Sequence, residues 1–273
     1  MAEIVESAKP EVQAQAQATG GFVMTESARD MLRSLQLVRV AGNAMTLIAA
    51  APGTGKTEVL KHFAVVQNGH KFGSYTPYVR DEVFLHTAVA GEGTPWGLAC
   101  QLMQMWGLGE PNSRRLTETH KMIGACIGRG NLLMIDEAQY LVQRNARGKD
   151  TWDSLEWLRA MAEEGEFSVA YCGDLALLDT ANHLPQLWRQ MRRRVVIRHV
   201  SKQDVAALAA HRGIAEPSLV EVLFRVARRG GGLGDVDNAL AHARLLSRQE
   251  VPGAAFIMAA LEDLHLLTRE NRE

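Results

Sequence analysis

The stretch Ala50-Ala51-Pro52-Gly53-Thr54-Gly55-Lys56-Thr57 leaves few folds open to this chain. Ahead of it, Met45-Thr46-Leu47-Ile48-Ala49 is short, apolar and partly β-branched, as a buried parallel strand is. Behind it, Val59, Leu60, Phe63 and Ala64 recur at helical spacing. Strand, glycine-rich turn and helix together make a phosphate-binding loop. Gly53 and Gly55 let the backbone curl so that successive N–H groups point at one anion, and the new helix adds its positive end. Lys56 then reaches the β- and γ-phosphates and the Thr57 hydroxyl suits Mg²⁺, with Pro52, Thr54 and Glu58 in the same nucleotide-binding set. The one departure from the usual pattern is Ala50 in place of a first glycine, which the extended geometry of a strand end tolerates.

A second signature follows at Leu132-Leu133-Met134-Ile135-Asp136-Glu137. Four apolar residues before two carboxylates place Asp136 and Glu137 at the carboxyl end of a buried strand, where open parallel sheets bind ligands. Asp136 is the candidate holder of the Mg²⁺ hydration shell. Glu137 is the candidate to orient or deprotonate an attacking water, because phosphoryl transfer needs chiefly positioning and charge stabilisation. A further buried strand, Phe167 to Cys172, ends in Gly173-Asp174 at the same edge of the expected sheet.

A chain of 273 residues, 47% hydrophobic and 22% charged, accommodates one α/β domain and a smaller appendage. The formal net charge of −1 gives no global field toward nucleic acid or membrane, so any such contact must be local. Cys100, Cys126 and Cys172 lie in apolar surroundings without metal-ligand spacing and read as buried thiols of a reducing compartment. With neither a signal peptide nor a membrane-spanning run, the expected location is cytoplasmic.

Residues 1–21, with their Gln/Ala alternation, are expected to form a flexible arm or a partner-binding tail. A helix is expected between Phe22 and Val40, capped by Thr25 or Ser27. Lys71-Phe72-Gly73-Ser74-Tyr75-Thr76 reads as the second strand. Thr94-Pro95 opens a helix through Trp106 on whose apolar stripe Trp96 and Trp106 read as core, and Leu116 to Ile127 is another helix. The polar stretch from Gln139 to Lys149 reads as a loop, either merely solvated or touching phosphate backbone through Arg144, Arg147 and Lys149. Trp152, Leu155, Leu158 and Met161 then mark an amphipathic helix.

Leu187-Trp188-Arg189-Gln190-Met191-Arg192-Arg193-Arg194 precedes the β-branched run Val195-Val196-Ile197. One of these arginines can enter a neighbouring subunit's site and neutralise charge on a transferred phosphoryl group; others can bind phosphodiester, or the segment is a solvated basic edge. Arg189 is the favoured finger, with Arg192 and Arg193 next. From Ser201 onward the chain reads as four helices, Ser201 to His211, Pro217 to Arg229, Asp235 to Gln249 and Ala254 to Leu267, parted by Gly230-Gly231-Gly232 and Pro252-Gly253.

The two signatures, the arginine box and the helical C-terminal region together resemble an AAA+ ATPase over about residues 22–265. The resemblance implies an α/β P-loop NTPase core with a parallel sheet and helices on both faces over 22–200, a small all-α lid over 201–268, and a tail at 269–273. Phe22-Val23-Met24-Thr25, Ile135 to Leu141, and Gly232-Leu233-Gly234-Asp235-Val236-Asp237-Asn238-Ala239-Leu240 are similar to phage Mu transposition protein B and its insertion-sequence and Tn7-type relatives. That likeness implies an ATP- and Mg²⁺-dependent, sequence-nonspecific DNA-binding ATPase of a bacterial host's cytoplasm. It would oligomerise on duplex DNA as a ring or helical filament and deliver or activate a transposase. Catalysis would fall to Lys56, Glu137 and an arginine in trans. Two other readings stand beside it: a cytoplasmic assembly switch or secretion-associated ATPase that never touches DNA, and a small-molecule kinase, which Asp136-Glu137 and the long lid disfavour.

Three departures from the family pattern carry expectations of their own. Fewer than about 25 residues precede the core, too few for the family's helix-turn-helix domain. Asp174 stands where Asn, Ser or Thr is usual near the γ-phosphate, and Gly234 where many relatives carry a phosphate-sensing Arg. Both point to slow hydrolysis and a long-lived ATP-bound state.

Overall fold

A computed structural model of the chain describes residues 21–69, 82–112, 114–144 and 150–267. Residues 1–20 of the arm, the strand expected at Lys71 to Thr76, the basic residues Arg147 and Lys149, and the tail lie outside the described residues.

The strands are β1 (Met45–Ala50), β2 (Val83–Thr87), β3 (Leu132–Asp136), the short pair β4 (Gln143–Arg144) and β5 (Asp150–Thr151), β6 (Ser168–Gly173) and β7 (Met191–Ile197). Five of them form one sheet in the order β2-β3-β6-β1-β7, while β4 and β5 form a separate two-stranded ribbon. The pairs β2·β3, β3·β6 and β1·β6 are parallel, with Thr87 opposite Asp136, Ile135 opposite Tyr171 and Ala49 opposite Gly173. This register brings the carboxyl ends of β3, β6 and β1 to one edge. β1, β3 and β6 have every residue buried, as parallel strands covered on both faces do.

The described chain divides into two compact units. One comprises Phe22, Met31–Ala49 and Thr57–Val196; the other comprises Val23–Asp30, Ala50–Lys56 and the chain from Ile197 onward. In the first, helices cover both faces of the sheet. On one face Leu47, Leu133, Ile135, Val169 and Tyr171 pack with Leu98, Leu102, Ile123, Leu158 and Phe167 from the helices Pro95–Met105, Leu116–Ile127 and Asp153–Gly165 and their flanks. On the other, the helix Glu26–Ala41 is tied down by buried polar bonds. Its Ser34 hydroxyl pairs with Thr46 at 2.6 Å, and its Val38 carbonyl accepts the Ser168 hydroxyl at 2.8 Å. The second unit has its own core, built on Val205, Leu208, Leu223, Val236, Leu240, Ile257 and Leu261. These residues come from the helices Lys202–His211, Pro217–Ala227, Gly232–Ser247 and Ala254–Asp263. Among the described residues no helix is long and apolar enough to cross a membrane.

Thr25 caps the first helix, its hydroxyl accepting the Ala28 N–H at 3.0 Å, and Thr94 caps Pro95–Met105 by accepting from Gly97. Several expectations are corrected. Val83–Thr87 is a strand of the sheet that the apolar-run criterion passes over, because the apolar run of this half-buried edge strand, Val83-Phe84-Leu85, is short and follows Arg80-Asp81-Glu82. The polar segment after Glu137 is not simply a loop: a 3-10 turn, Ala138–Leu141, buries Ala138 and Leu141, and β4 then pairs with β5. Trp96 is 38% exposed, not core, since it lies about 200° round the helix from the buried Leu98; Trp106 packs against the core as expected. Cys172 is buried, whereas Cys100 and Cys126 are half-buried; none of the three forms a disulfide. Arg192, Arg193 and Arg194 do not precede the last strand but form part of it. This edge strand buries only Met191 and Val195, with Arg193 and Ile197 half-buried on the same face, so arginines are tolerated between them. Three of the C-terminal helices also have different ends: all stop earlier, at Ala227, Ser247 and Asp263, and the second of these begins within the glycine run, at Gly232.

Candidate functional site

The phosphate loop runs from the end of β1 into the helix Lys56–Asn68. Gly53 and Gly55 have φ of 69° and 85°, the left-handed region that a residue with a Cβ rarely adopts, so the curl inferred from the glycines is present. Within the loop, the Thr54 hydroxyl donates to the Ala51 carbonyl at 2.8 Å. The Lys56 ammonium donates to the carbonyls of Ala50 and Ala51 at 2.8 and 3.3 Å, which draws its charge back over the turn instead of out to solvent. Pro52 and Glu58 are exposed, and Glu58, on the first helical turn, pairs with Lys61.

Thr57 and the acidic pair meet inside the first unit. The Thr57 hydroxyl donates to Asp136 Oδ2 at 2.6 Å, and Asp136, only 1% exposed, also accepts the Glu137 N–H at 2.9 Å. A hydroxyl and a carboxylate are hard oxygen donors suited to Mg²⁺, which is ordinarily held by one or two protein groups together with phosphate and water. The donor set present therefore fits a nucleotide-borne metal. Among the described residues there is no cluster of three or more His, Cys, Asp or Glu able to hold a metal on its own.

Glu137 lies just beyond β3 with φ 54° and ψ 37°, a left-handed conformation that costs a residue with a side chain about 1–2 kcal/mol. Its carboxylate accepts from the Gln139 amide, whose own Oε1 accepts the Asp174 N–H at 3.1 Å. Gln139 thus bridges the ends of β3 and β6. The bridge passes over Gly173, where a Cβ would stand 2.5 Å from Gln139 Oε1. The sequence alone gives Gln139 no role; the available signal is an amide two residues beyond the candidate catalytic carboxylate. Asp174 Oδ1 accepts the Leu177 N–H at 3.2 Å, so this carboxylate is turned into the first turn of the helix Ala176–Asn182.

The arginines separate by environment. Arg189, in the last turn of the helix Pro185–Gln190, and Arg192, on β7, are exposed. Arg193 is half-buried and its carbonyl accepts the Thr46 hydroxyl at 2.9 Å. Arg194 stacks its guanidinium over Trp188, 3.8 Å from the ring centroid. Arg144 belongs to the ribbon, whose base is seated by Gln143 against Gly93, where a Cβ would be 2.6 Å from Gln143 Cβ.

Comparison with known proteins agrees with this geometry. The family model described as AAA domain matches residues 39–180, more than half of the chain, and the model described as Mu B transposition protein, C terminal, matches residues 189–264. No curated protein matches the chain in sequence. Among solved structures, the fold is shared with the Aeropyrum pernix ORC1 protein in complex with DNA (17% identity, TM-score 0.58, covering 89% of this chain and 66% of that one). It is shared too with Drosophila ORC bound to DNA (13%, 0.58, 97% and 68%). Domain III of the Thermotoga maritima replication initiation protein DnaA matches at 15% identity and TM-score 0.57, covering 89% and 94% of the two chains. The chain thus spans about two thirds of the archaeal and Drosophila origin-recognition proteins. A phosphate loop, a paired threonine and aspartate, a bridged glutamate and the two family matches lead to one assignment: the chain belongs to the AAA domain family, and its C-terminal part matches the Mu B transposition protein.

Proposed function

We propose that this AAA+ ATPase is an ATP-controlled DNA-binding protein that assembles on duplex DNA and delivers or activates a transposase. The observation that carries the nucleotide half is the 2.6 Å bond between Thr57 and Asp136, which joins the phosphate-loop helix to the acidic end of β3. In this reading Pro52 to Glu58 embrace the triphosphate, Lys56 neutralises its terminal phosphates, and Thr57 and Asp136 hold Mg²⁺. Bound Mg²⁺·ATP supplies the transferable phosphoryl group and the charge that neutralises it. Glu137, aimed by Gln139, orients the attacking water and takes up its proton. Asp174, committed to Leu177 rather than free to face the γ-phosphate, together with Gly234 in place of a sensing arginine, supports slow turnover.

The DNA half is supported by the Mu B C-terminal match and by basic groups concentrated locally in a chain of near-zero net charge. Arg144, Arg147 and Lys149 are the proposed phosphate contacts, repeated from subunit to subunit of a ring or filament in the cytoplasm. Their affinity would be built by counterion release, with little sequence preference. Arg189 is the proposed finger in trans because it is exposed and at a helix end, with Arg192 next and the half-buried Arg193 third.

Nucleotide binding, hydrolysis and a long-duplex gel shift with and without Mg²⁺·ATP test the proposal on three proteins. Wild type should shift DNA only with ATP. Lys56→Ala should lose nucleotide binding and the shift together. Glu137→Gln should keep both while hydrolysis falls at least ~100-fold. An ATP-binding protein that shifts no DNA at any salt would leave an assembly switch as the function.

A further inference from the structure

The phosphate loop is tied, backbone to backbone, to the start of the helix Gly232–Ser247, and both lie in the second unit. The Leu233 N–H donates to the Gly53 carbonyl at 2.7 Å. The approach is so close that glycine is required on both sides. A Cβ on Gly53 would stand 1.8 Å from the Gly231 carbonyl oxygen, and one on Gly232 would stand 2.7 Å from the Gly53 oxygen and 3.0 Å from that of Pro52. Gly53 and Gly232 have φ of 69° and 62°. Gly231 is itself crowded by Asp235, whose carboxylate carbon would lie 1.9 Å from a Cβ there. The run Gly230-Gly231-Gly232, which reads in the sequence as a breaker between helices, is thus the docking surface for the phosphate loop.

A trans peptide plane holds its C=O and the following N–H in opposite directions. Fixing the Gly53 carbonyl against Leu233 therefore turns the Thr54 N–H away from the helix Gly232–Ser247. The Thr54 side chain, bonded to the Ala51 carbonyl at 2.8 Å and only 2% exposed, holds the next residue in register. An anion-binding loop works only if its successive N–H groups converge, and a glycine-flanked peptide is the one most free to flip out of line.

We propose that the Leu233 N–H is a positioning group for nucleotide binding: it locks the 53–54 peptide so that Thr54 presents its N–H to the phosphates. Loop and C-terminal helix are thereby coupled without any side chain at position 234. The inference rests on the nucleotide reading above. Binding and locking then reinforce one another, and the coupling is reciprocal: the lock raises affinity for the triphosphate, and the triphosphate strengthens the lock.

The test uses the full 273-residue chain. Proline is tolerated in the first turn of a helix; at position 233 it removes the N–H and sets its ring Cδ against the Gly53 carbonyl, whereas alanine keeps the bond, so Leu233→Pro is compared with Leu233→Ala for Mg²⁺·ATP affinity. Leu233→Pro should bind at least about tenfold more weakly than Leu233→Ala, the size of one lost hydrogen bond to a charged group. Equal affinity of the two would overturn the proposal. Hydrogen exchange at the Leu233 amide of the wild-type chain gives a second measure that does not depend on a variant folding. Saturating Mg²⁺·ATP should slow it about tenfold or more, and an unchanged rate would overturn the proposal. Lys56→Ala separates the two ideas. If it binds ATP as tightly as wild type, the nucleotide reading falls; if it loses binding while the two Leu233 variants agree, only the positioning role falls.

Discussion

At the scale of single residues, the site depends on groups held in positions they would not adopt alone. Glu137 is kept in a left-handed backbone conformation immediately after a fully buried strand, and its carboxylate is aimed by the Gln139 amide. Gln139 has its other end on the Asp174 N–H, so one side chain senses both the acidic edge of β3 and the end of β6. Removing it would leave Glu137 in place but free to rotate. Gln139→Ala is therefore expected to lower the rate of ATP hydrolysis about tenfold or more with little change in nucleotide affinity, as measured by steady-state turnover alongside equilibrium binding. The candidate residues Lys56, Thr57, Asp136 and Glu137 stand out in the sequence by their spacing, because phosphate and metal chemistry prescribes residue types at set offsets. Gln139 does not, because an aiming amide is defined by what it reaches across the sheet.

At the scale of elements, the parts most readily read were those with continuous or periodic apolar pattern. The helices Pro95–Met105 and Leu116–Ile127 and the fully buried strands β1, β3 and β6 fall where the pattern puts them. The edge strands were harder: β2 is only partly apolar, and β7 hides three arginines in a strand that buries only Met191 and Val195. Element ends also depend on partners far along the chain. Ser27, offered by the sequence as an alternative cap of the first helix, instead gives both its N–H (3.2 Å) and its hydroxyl (2.6 Å) to Asp204. Asp204 is 1% exposed and at the same time completes a capping box with Ser201 at the start of Lys202–His211. One carboxylate thus satisfies two chain segments. Asp204→Ala would strand buried donors on both, and urea denaturation of the variant should show a loss of about 2–3 kcal/mol, more than an ordinary cap is worth.

At the scale of the whole molecule, a nucleotide site completed by an arginine in trans makes activity a property of the assembly. If Arg189 is the finger, Arg189→Ala should bind ATP as wild type does. It should lose the rise of specific hydrolysis rate with protein concentration that is expected of wild type, which a concentration series of turnover measurements reads directly. The sequence by itself determined the chemistry of the site and the class of fold: a phosphate loop after a buried strand and a carboxylate pair after another are local patterns, imposed by what triphosphate and metal require of their nearest residues. Tertiary structure alone decided what holds those residues in place. Gln139 bridging two strand ends and Gly53 bonded to Leu233 both join positions far apart in the chain. Such contacts are fixed by sheet order, by strand register and by the close approach of glycine backbones, none of which leaves a periodic mark on the residues themselves.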